Sequence, residues 1–428
     1  MRDWFVERRE VTEVVHQRSG LRVQAPVCER GHAVRWEVPG GLEQVWTEVA
    51  GGPLPSGALP ADVLAPAREL LEPEPSPPND TGLQEVVRRL VDTAQAAGAA
   101  HLDVLLREVD QRTLVANASG LVADRRHHAL LEVKVFGATA GGTAELWRCA
   151  AYPDGARMRA ALPELEALVL QLVRQLQECT PAVPCPTGAL PVVFPPGAAS
   201  ACFFHEVCGH PLEGDVVARG GSYLARRLGQ RVAEPFVSVT DDPTDGRGAL
   251  GYAWDDEGQA ARPVPLLHAG VVGTPLLDLR SAKTLGLAPN GHGRRVSFKH
   301  PALPRMAHTR VEPHLGDLEG LMAGIPHGLL VRHLTPRHMN LLSGDFSFYI
   351  VEAQEIREGR PGRMVSPGIL SGNGLEALAA IDAVGADFQN LFATRGCRKL
   401  DHGPLPVSFG QPAVRFQRLQ LQPTGTSS

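Results

Sequence analysis

His205-Glu206-Val207-Cys208-Gly209-His210 sets two imidazoles around a carboxylate inside an otherwise apolar segment, Ala198 to Gly209. Imidazole nitrogens suit a borderline-soft divalent metal such as zinc, and a carboxylate beside such a ligand can take a proton from water. The pattern points to metal-assisted hydrolysis of a peptide bond. The usual zinc-peptidase helix spaces its histidines four residues apart, on one face. Here the spacing is five, which on a regular helix separates the rings by about 140°. Both rings reach one ion only if the helix is locally unwound, or if it ends near Gly209 and lets His210 swing back.

Pro195-Pro196-Gly197 and the run Ala201-Cys202-Phe203-Phe204 carry this segment into a packed interior. Buried His and Glu need partners, because unpaired burial is costly. A metal is one such partner; a metal-free protein with a buried polar pair at His205 and Glu206 is the rival reading. A metal also needs a third ligand, and the chain offers Cys28, Cys149, Cys179, Cys185, Cys202, Cys208 and Cys397. Cys208 lies three residues after His205 and shares that face of a helix. Cys397 sits in the polar stretch Thr394-Arg395-Gly396-Cys397-Arg398-Lys399, where neighbouring cations favour the thiolate. Residue chemistry leaves both open, and a small buried hydrophobe is the commoner role for each.

His205 to Asp215, reading HEVCGHPLEGD, resembles the signature of the TldD/PmbA metallopeptidases, a His-Glu-x-x-x-His motif followed by Leu-Glu-Gly-Asp. The similarity continues in order along the chain. Asn117-Ala118-Ser119-Gly120, Asp255-Asp256-Glu257-Gly258 and Asn290-Gly291-His292-Gly293-Arg294-Arg295 resemble further family elements. So do Arg305-Met306-Ala307-His308-Thr309, Gly344-Asp345-Phe346-Ser347-Phe348 and Ser371-Gly372-Asn373-Gly374. Together they cover residues 100 to 416.

The resemblance implies that His205 and His210 are zinc ligands and that Glu206 is the general base. It implies Cys397 as the third protein ligand, matching a late Gly-x-Cys-Gly-Lys segment of the family. Arg398 replaces the second glycine here, and Asp401-His402 stand near the usual Gly-Gln. The resemblance further implies a zinc-dependent metallopeptidase acting on extended, unstructured peptides docked as an added strand. It implies a dimer, with itself or with a related subunit lacking the metal motif. The alternative is a non-catalytic partner subunit whose metal site is structural or vestigial.

At 428 residues the chain has room for two or three domains. A net charge of −5 with interspersed signs gives no nucleic-acid-binding surface. No apolar run approaches a membrane span, and the charged start, Met1-Arg2-Asp3-Trp4, lacks an apolar targeting core. Seven scattered cysteines do not read as a disulfide framework, so a cytoplasmic protein is expected.

The patterning predicts an α+β chain: an N-terminal domain of antiparallel strands with two long helices over 1–185, and a strand-rich C-terminal domain over 186–428 carrying a short metal-binding helix. Residues 1 to 52 read as short strand-like pieces, such as Glu10 to Val15 and Gly20 to Ala25. Residues 52–78 are Pro-rich and read as an excursion with little regular structure. Asp80 or Thr81 can cap a helix with the stripe Leu83, Val86, Val87, Leu90, Val91 and Ala94. Antiparallel strands follow from Leu102 to Tyr152, with Leu131, Val133 and Val135 alternating with charges. A second helix carries Leu165, Leu168, Leu172 and Leu176, and Thr180 to Pro186 is the expected boundary. Beyond it come a strand at Leu190 to Phe194, a turn at Ala269-Gly270, a strand through Phe346, Phe348 and Ile350, and helices near Leu277 to Leu285, Asp317 to Ala323 and Gly374 to Val384.

Asp255-Asp256-Glu257 reads as a solvated acidic turn, with a metal or a substrate amino group as the functional alternative. Asn290 to Gly293 could cradle an anion with backbone N–H groups. Arg294 and Arg295 could hold a substrate carboxylate, surface charge being their default. His300, His308, His314, His333 and His402 lack metal spacing and read as structural or exposed.

Overall fold

Alternation of apolar and polar residues builds the first layer. Strands β1 (Arg2–Gln17), β2 (Gly20–Val38), β3 (Gly41–Glu48), β4 (His101–Asn117), β5 (Gly120–Thr139) and β6 (Gly142–Tyr152) form one antiparallel sheet, in the order β3-β2-β1-β4-β5-β6. The computed structural model describes residues 2–38, 41–49, 59–72, 81–139, 142–177, 182–245 and 250–424. Leu102, Val104 and Leu106 on β4 and Leu131, Val133 and Val135 on β5 face the same core, as the two-residue period of a strand requires. Helices α2 (Thr81–Ala96) and α4 (Leu162–Gln177) cover that face with buried Leu83, Val87, Leu90, Leu165, Val169, Leu172 and Leu176. Leu168, expected on the stripe, is only partly buried there. The six-residue α3 (Gly155–Ala160) leads into α4. Asp80, Cys179 and Thr180 lie outside the described residues.

Two expectations for this half need correction. The opening segment is not a set of short strands but one long hairpin, β1 with β2. Its interior charges hid it, because Glu7 and Arg8 are buried and partnered rather than solvated, Glu7 by Gln111 of β4 and Arg8 by the Glu72 carbonyl. Within the Pro-rich stretch, residues 61–71 form helix α1 (Ala61–Leu71), with Pro66 inside it. Val63, Ala67 and Leu71 recur every four residues and pack on Val6, Leu114 and Ala116. That burial outweighs the one hydrogen bond which Pro66 cannot donate.

The second half holds two larger sheets. Its strands are β7 (Gly188–Phe194), β8 (Val239–Asp241), β9 (Val264–His268), β10 (Val271–Val272), β11 (Gly293–Arg294), β12 (Leu303–Pro304) and β13 (His308–Val311). They continue with β14 (His327–Met339), β15 (Asp345–Arg357), β16 (Arg360–Met364), β17 (Gly368–Asn373), β18 (Ile381–Val384), β19 (Gln389–Lys399), β20 (His402–Gln411) and β21 (Val414–Pro423). One sheet runs β14-β7-β21-β17-β15-β16, and because β14 also pairs with β15, five of its strands close on themselves. The other runs β10-β9-β8-β13-β20-β19, with β13 parallel to β20. The helix expected to Val384 spans Gly374–Ala379 only, and β18 takes over where Ile381 and Val384 turn inward. The fold is α+β, and among the described residues no helix is long and apolar enough to cross a membrane.

Acidic and basic residues expected on the surface fasten the two halves instead. Asp255, Asp256, Glu257, Arg294 and Arg295 are all buried. Arg126 of β5 meets Asp256 at 2.8 Å, Arg35 of β2 pairs with Glu257, and Asn117 Nδ2 donates to the Glu257 carbonyl at 2.9 Å. Each charge was read as solvated because its partner lies far away in sequence. Phe298 completes the joint: its N–H donates to Glu7 at 2.7 Å and its ring covers Gly31. A Cβ at Gly31 would stand 2.3 Å from that ring and 2.5 Å from the Thr47 carbonyl. Gly31→Ala should therefore lower stability by roughly 1–3 kcal/mol, read from urea unfolding. An unchanged midpoint would contradict this account of the joint.

Candidate metal centre

Phe203 anchors the segment that carries the two histidines. Its ring lies 5.3 to 5.7 Å from those of Phe194, Phe346, Phe348 and Phe416, inside the closed strands. From there His205–Gly209 forms a single π-turn, in which the His210 N–H donates to the His205 carbonyl. The wider turn returns to the same side after five residues, not four, so both imidazoles face one point. The helix therefore does not end at Gly209; it unwinds locally, by widening one turn. Gly209 serves here through its size, since a Cβ would meet the Met306 side chain at 2.9 Å. An ordinary helix would ask Pro211 to donate to the Val207 carbonyl, and proline has no N–H. The buried Tyr223 hydroxyl donates to that carbonyl instead, at 2.6 Å.

The β10-β9-β8-β13-β20-β19 sheet faces this turn. His205 Nδ1–H donates to Thr309 Oγ1 at 3.3 Å, and the Thr309 hydroxyl donates to Asp241 at 2.7 Å. This relay orients the ring through Nδ1, and among the described residues the buried Nε2 has no hydrogen-bond partner within normal geometry. Burial pushes the Asp241 carboxyl up, but hydrogen bonds from His292, Ala307 and Thr309 reverse this and hold it below its ordinary value. His210 Nε2 lies 3.3 Å from Cys397 Sγ, and its Nδ1 lies 3.3 Å from Glu213. One donor atom each from His205, His210 and Cys397 fall within 4.8 Å of one another.

Cys397 reaches this position through an irregular edge strand. The β19–β20 register shifts on both sides of it, and Gly396 takes φ +64°. A Cβ at Gly396 would also stand 2.4 Å from the Leu405 carbonyl, so glycine is required there. Burial pushes the Cys397 thiol up, but the two imidazoles more than reverse this and hold it well below the usual thiol range. Burial pulls His210 down, and the Cys397, Glu213 and Glu206 charges raise it well above its ordinary value. The pair thus favours thiolate beside imidazolium, the charge distribution a divalent cation would stabilise in place of the proton. Cys208 shares the turn but is fully buried without a charged neighbour, and burial drives its thiol up. It is not among the three converging groups.

Behind these groups lies a buried charge network absent from the sequence reading. Glu213 meets Arg305 at 3.3 Å and Lys399 at 2.9 Å as ion pairs. Burial raises its pKa, yet His210, Lys399 and Arg305 bring it down to about 2. Arg305 also donates to the Cys397 carbonyl at 3.0 Å and to His402 Nδ1 at 2.9 Å. His402 in turn donates from Nε2 to the Pro301 carbonyl at 3.1 Å, so it is held neutral, its pKa lowered to about 4 by burial and by Arg305. Arg398 points outward and donates to the Gly403 carbonyl at 3.3 Å. Glu213, Arg305, Thr309, Lys399 and His402 were visible in the sequence, as members of quoted segments without a role. Nothing in the local spacing marks Asp241 or Tyr223.

Glu206 stands beside the cluster, one oxygen 4.0 Å from His210 Nε2, with its side chain 17% exposed. Burial raises its pKa above the ordinary carboxylate value, opposed by His210 and His205. The donor set, two imidazoles and one thiolate, suits zinc, and the unpartnered His205 Nε2 is the kind of buried atom a metal would satisfy.

Residues 187–423 match the family model described as PmbA/TldA metallopeptidase C-terminal domain. A "Metalloprotease TldD homolog" of Haemophilus influenzae is 30% identical over 253 residues, 59% of this chain and 52% of that protein. A "Zinc metalloprotease TldD homolog" of Saccharolobus solfataricus is 30% identical over 265 residues, 60% of this chain and 56% of that protein. The chain thus spans little more than half the length of these curated relatives. The structure of TldE from Thermococcus kodakarensis superposes with a TM-score of 0.78 at 17% identity, covering 98% of this chain and 96% of that one. At that identity the likeness shows a shared fold. With more than half of its length matching the family model, the chain belongs to the PmbA/TldD metallopeptidase family.

Proposed function

We propose that this protein is a zinc-dependent peptidase, with zinc held by His205, His210 and Cys397 and with Glu206 as general base. The convergence of three donor atoms within 4.8 Å beside a carboxylate of raised pKa carries this reading. Zinc bound there would supply Lewis acidity toward a peptide carbonyl and a water molecule. Glu206 takes the proton from the attacking water and delivers it to the departing amine, a task suited to a carboxylate whose pKa is shifted toward neutrality. The Asp241–Thr309 relay fixes the His205 tautomer, and Glu213 orients His210 through Nδ1.

We further infer that extended, unstructured peptides are the substrates. Strand β19 ends its sheet and carries Cys397, so a peptide laid along that edge would pair main chain to main chain next to the cluster. Such pairing gives affinity with little sequence preference. Assembly with a second copy or with a related subunit is part of the same proposal.

Glu206→Gln should retain zinc and lose peptide cleavage by roughly 10²–10⁴-fold; wild-type cleavage by this variant would overturn the role of the carboxylate. Zinc that binds without any turnover, with the chain alone or paired with a related subunit, would favour a non-catalytic partner with a structural site. Zinc stoichiometry separates the cysteines: Cys397→Ala is expected to lose the metal and Cys208→Ala to keep it. Asp241→Asn should weaken zinc binding about 10- to 100-fold in chelator competition, and unaltered affinity would remove the relay from the account.

A further inference from the structure

The β19–β20 hairpin leans on the N-terminal sheet across a cavity of about 270 Å³, near the lower end of the range for small-ligand sites. Strands β1, β2, β4 and β5 form one wall, and residues 294–296, 394–396 and 404–406 form the other. Its lining is strongly basic: six arginines against a single carboxylate, Glu13. Arg107 is neutralised by Glu13 at 2.6 Å, and Arg126 by Asp256. Arg294 is different. It is 3% exposed, its two terminal nitrogens donate to the Met306 and Pro406 carbonyls, and its Nε has no partner. Among the described residues no carboxylate pairs with it, and buried guanidinium without a counter-charge is costly.

His128, on the opposite wall, adds an independent observation. It is 5% exposed and lines the cavity, with no hydrogen bond to any described residue. Burial, with Arg294 and Arg107 close enough to oppose its protonation, drives its pKa down to about 3. An unpaired buried cation and an unpartnered buried imidazole thus flank the same space. Both deficits are met by one kind of guest, a compact anion with several acceptor oxygens.

We propose that this cavity is a binding site for a small oxyanion, carboxylate or phosphate, held by Arg294 from one wall and by His128, with Arg107 beside it, from the other. It is separate from the metal centre and stands whatever reaction that centre performs. Gly396 and Leu405 belong to its wall, so a bound anion would brace the hairpin from which Cys397 projects.

Calorimetric titration of the full chain at low ionic strength, with inorganic phosphate in one arm and citrate in the other, tests the proposal. A single saturable site for either anion is expected, and the arm that binds more tightly identifies the class of oxyanion. His128→Phe fills the space while keeping a buried ring, and Arg294→Met removes the charge while keeping an apolar stem. Each should weaken binding at least tenfold, with zinc content unchanged in His128→Phe. Absence of saturable binding by the unmodified chain overturns the proposal. So does affinity left intact by His128→Phe, which would place the anion elsewhere.

Discussion

A right-handed helix cannot present residues five apart to a single point unless one of its turns is widened, and the rest of the candidate metal centre depends on that widening. The π-turn at His205–Gly209 is not a property of those five residues alone. Pro211 removes the N–H that would draw the Val207 carbonyl into an ordinary turn, Tyr223 takes that carbonyl, and Gly209 lets Met306 approach. Phe203, packed among four other aromatic rings, fixes where the turn begins. The spacing that sets this chain apart from the usual zinc-peptidase helix is thus built by residues on both sides of the turn.

Around it the chain compensates buried charge with buried charge. His210 leans on Glu213, which leans on Arg305 and Lys399, while Asp241 serves His205 through Thr309. In a low-dielectric interior such partners matter more than they would at the surface, and removing one strands the other. The same logic fastens the two halves of the molecule, where Arg35 and Arg126 reach from the N-terminal sheet to Glu257 and Asp256. The geometry of the converging donors and the joint between the two halves rest on one kind of interaction.

What the sequence revealed followed from periodicity. The stripes Leu83 to Ala94 and Leu165 to Leu176, and the alternation Leu131-Val133-Val135, correspond to buried faces, because such patterns depend only on near neighbours. The motif at His205 marked where to look, and the structure brings Cys397 to it from nearly two hundred residues away. Charged residues were misread for the opposite reason. Asp255 to Glu257, Arg294 and Arg295 look solvated until their partners are known, and those partners are distant in the chain. The helix at 61–71 was hidden by Pro66 and the prolines flanking it, and the long β1–β2 hairpin by the buried charges within it. Asp241 and Tyr223 carried no signal, since their roles arise only from strand order and from a hydroxyl meeting one carbonyl.

Arg305 ties together the segments that carry the converging donors. Its guanidinium holds the Cys397 carbonyl, His402 and Glu213 at once, so the late hairpin and the mid-chain turn are joined by the polypeptide's own hydrogen bonds. Small zinc domains fold only as the ion draws their ligands together. Here protein hydrogen bonds and an ion pair already tie the donor-bearing segments together, so an ion bound by them would spend little of its binding free energy on ordering them. Were the proposed zinc bound there, its exchange for another divalent ion would take place within a standing frame, with selection left to the softness of the donors and to supply.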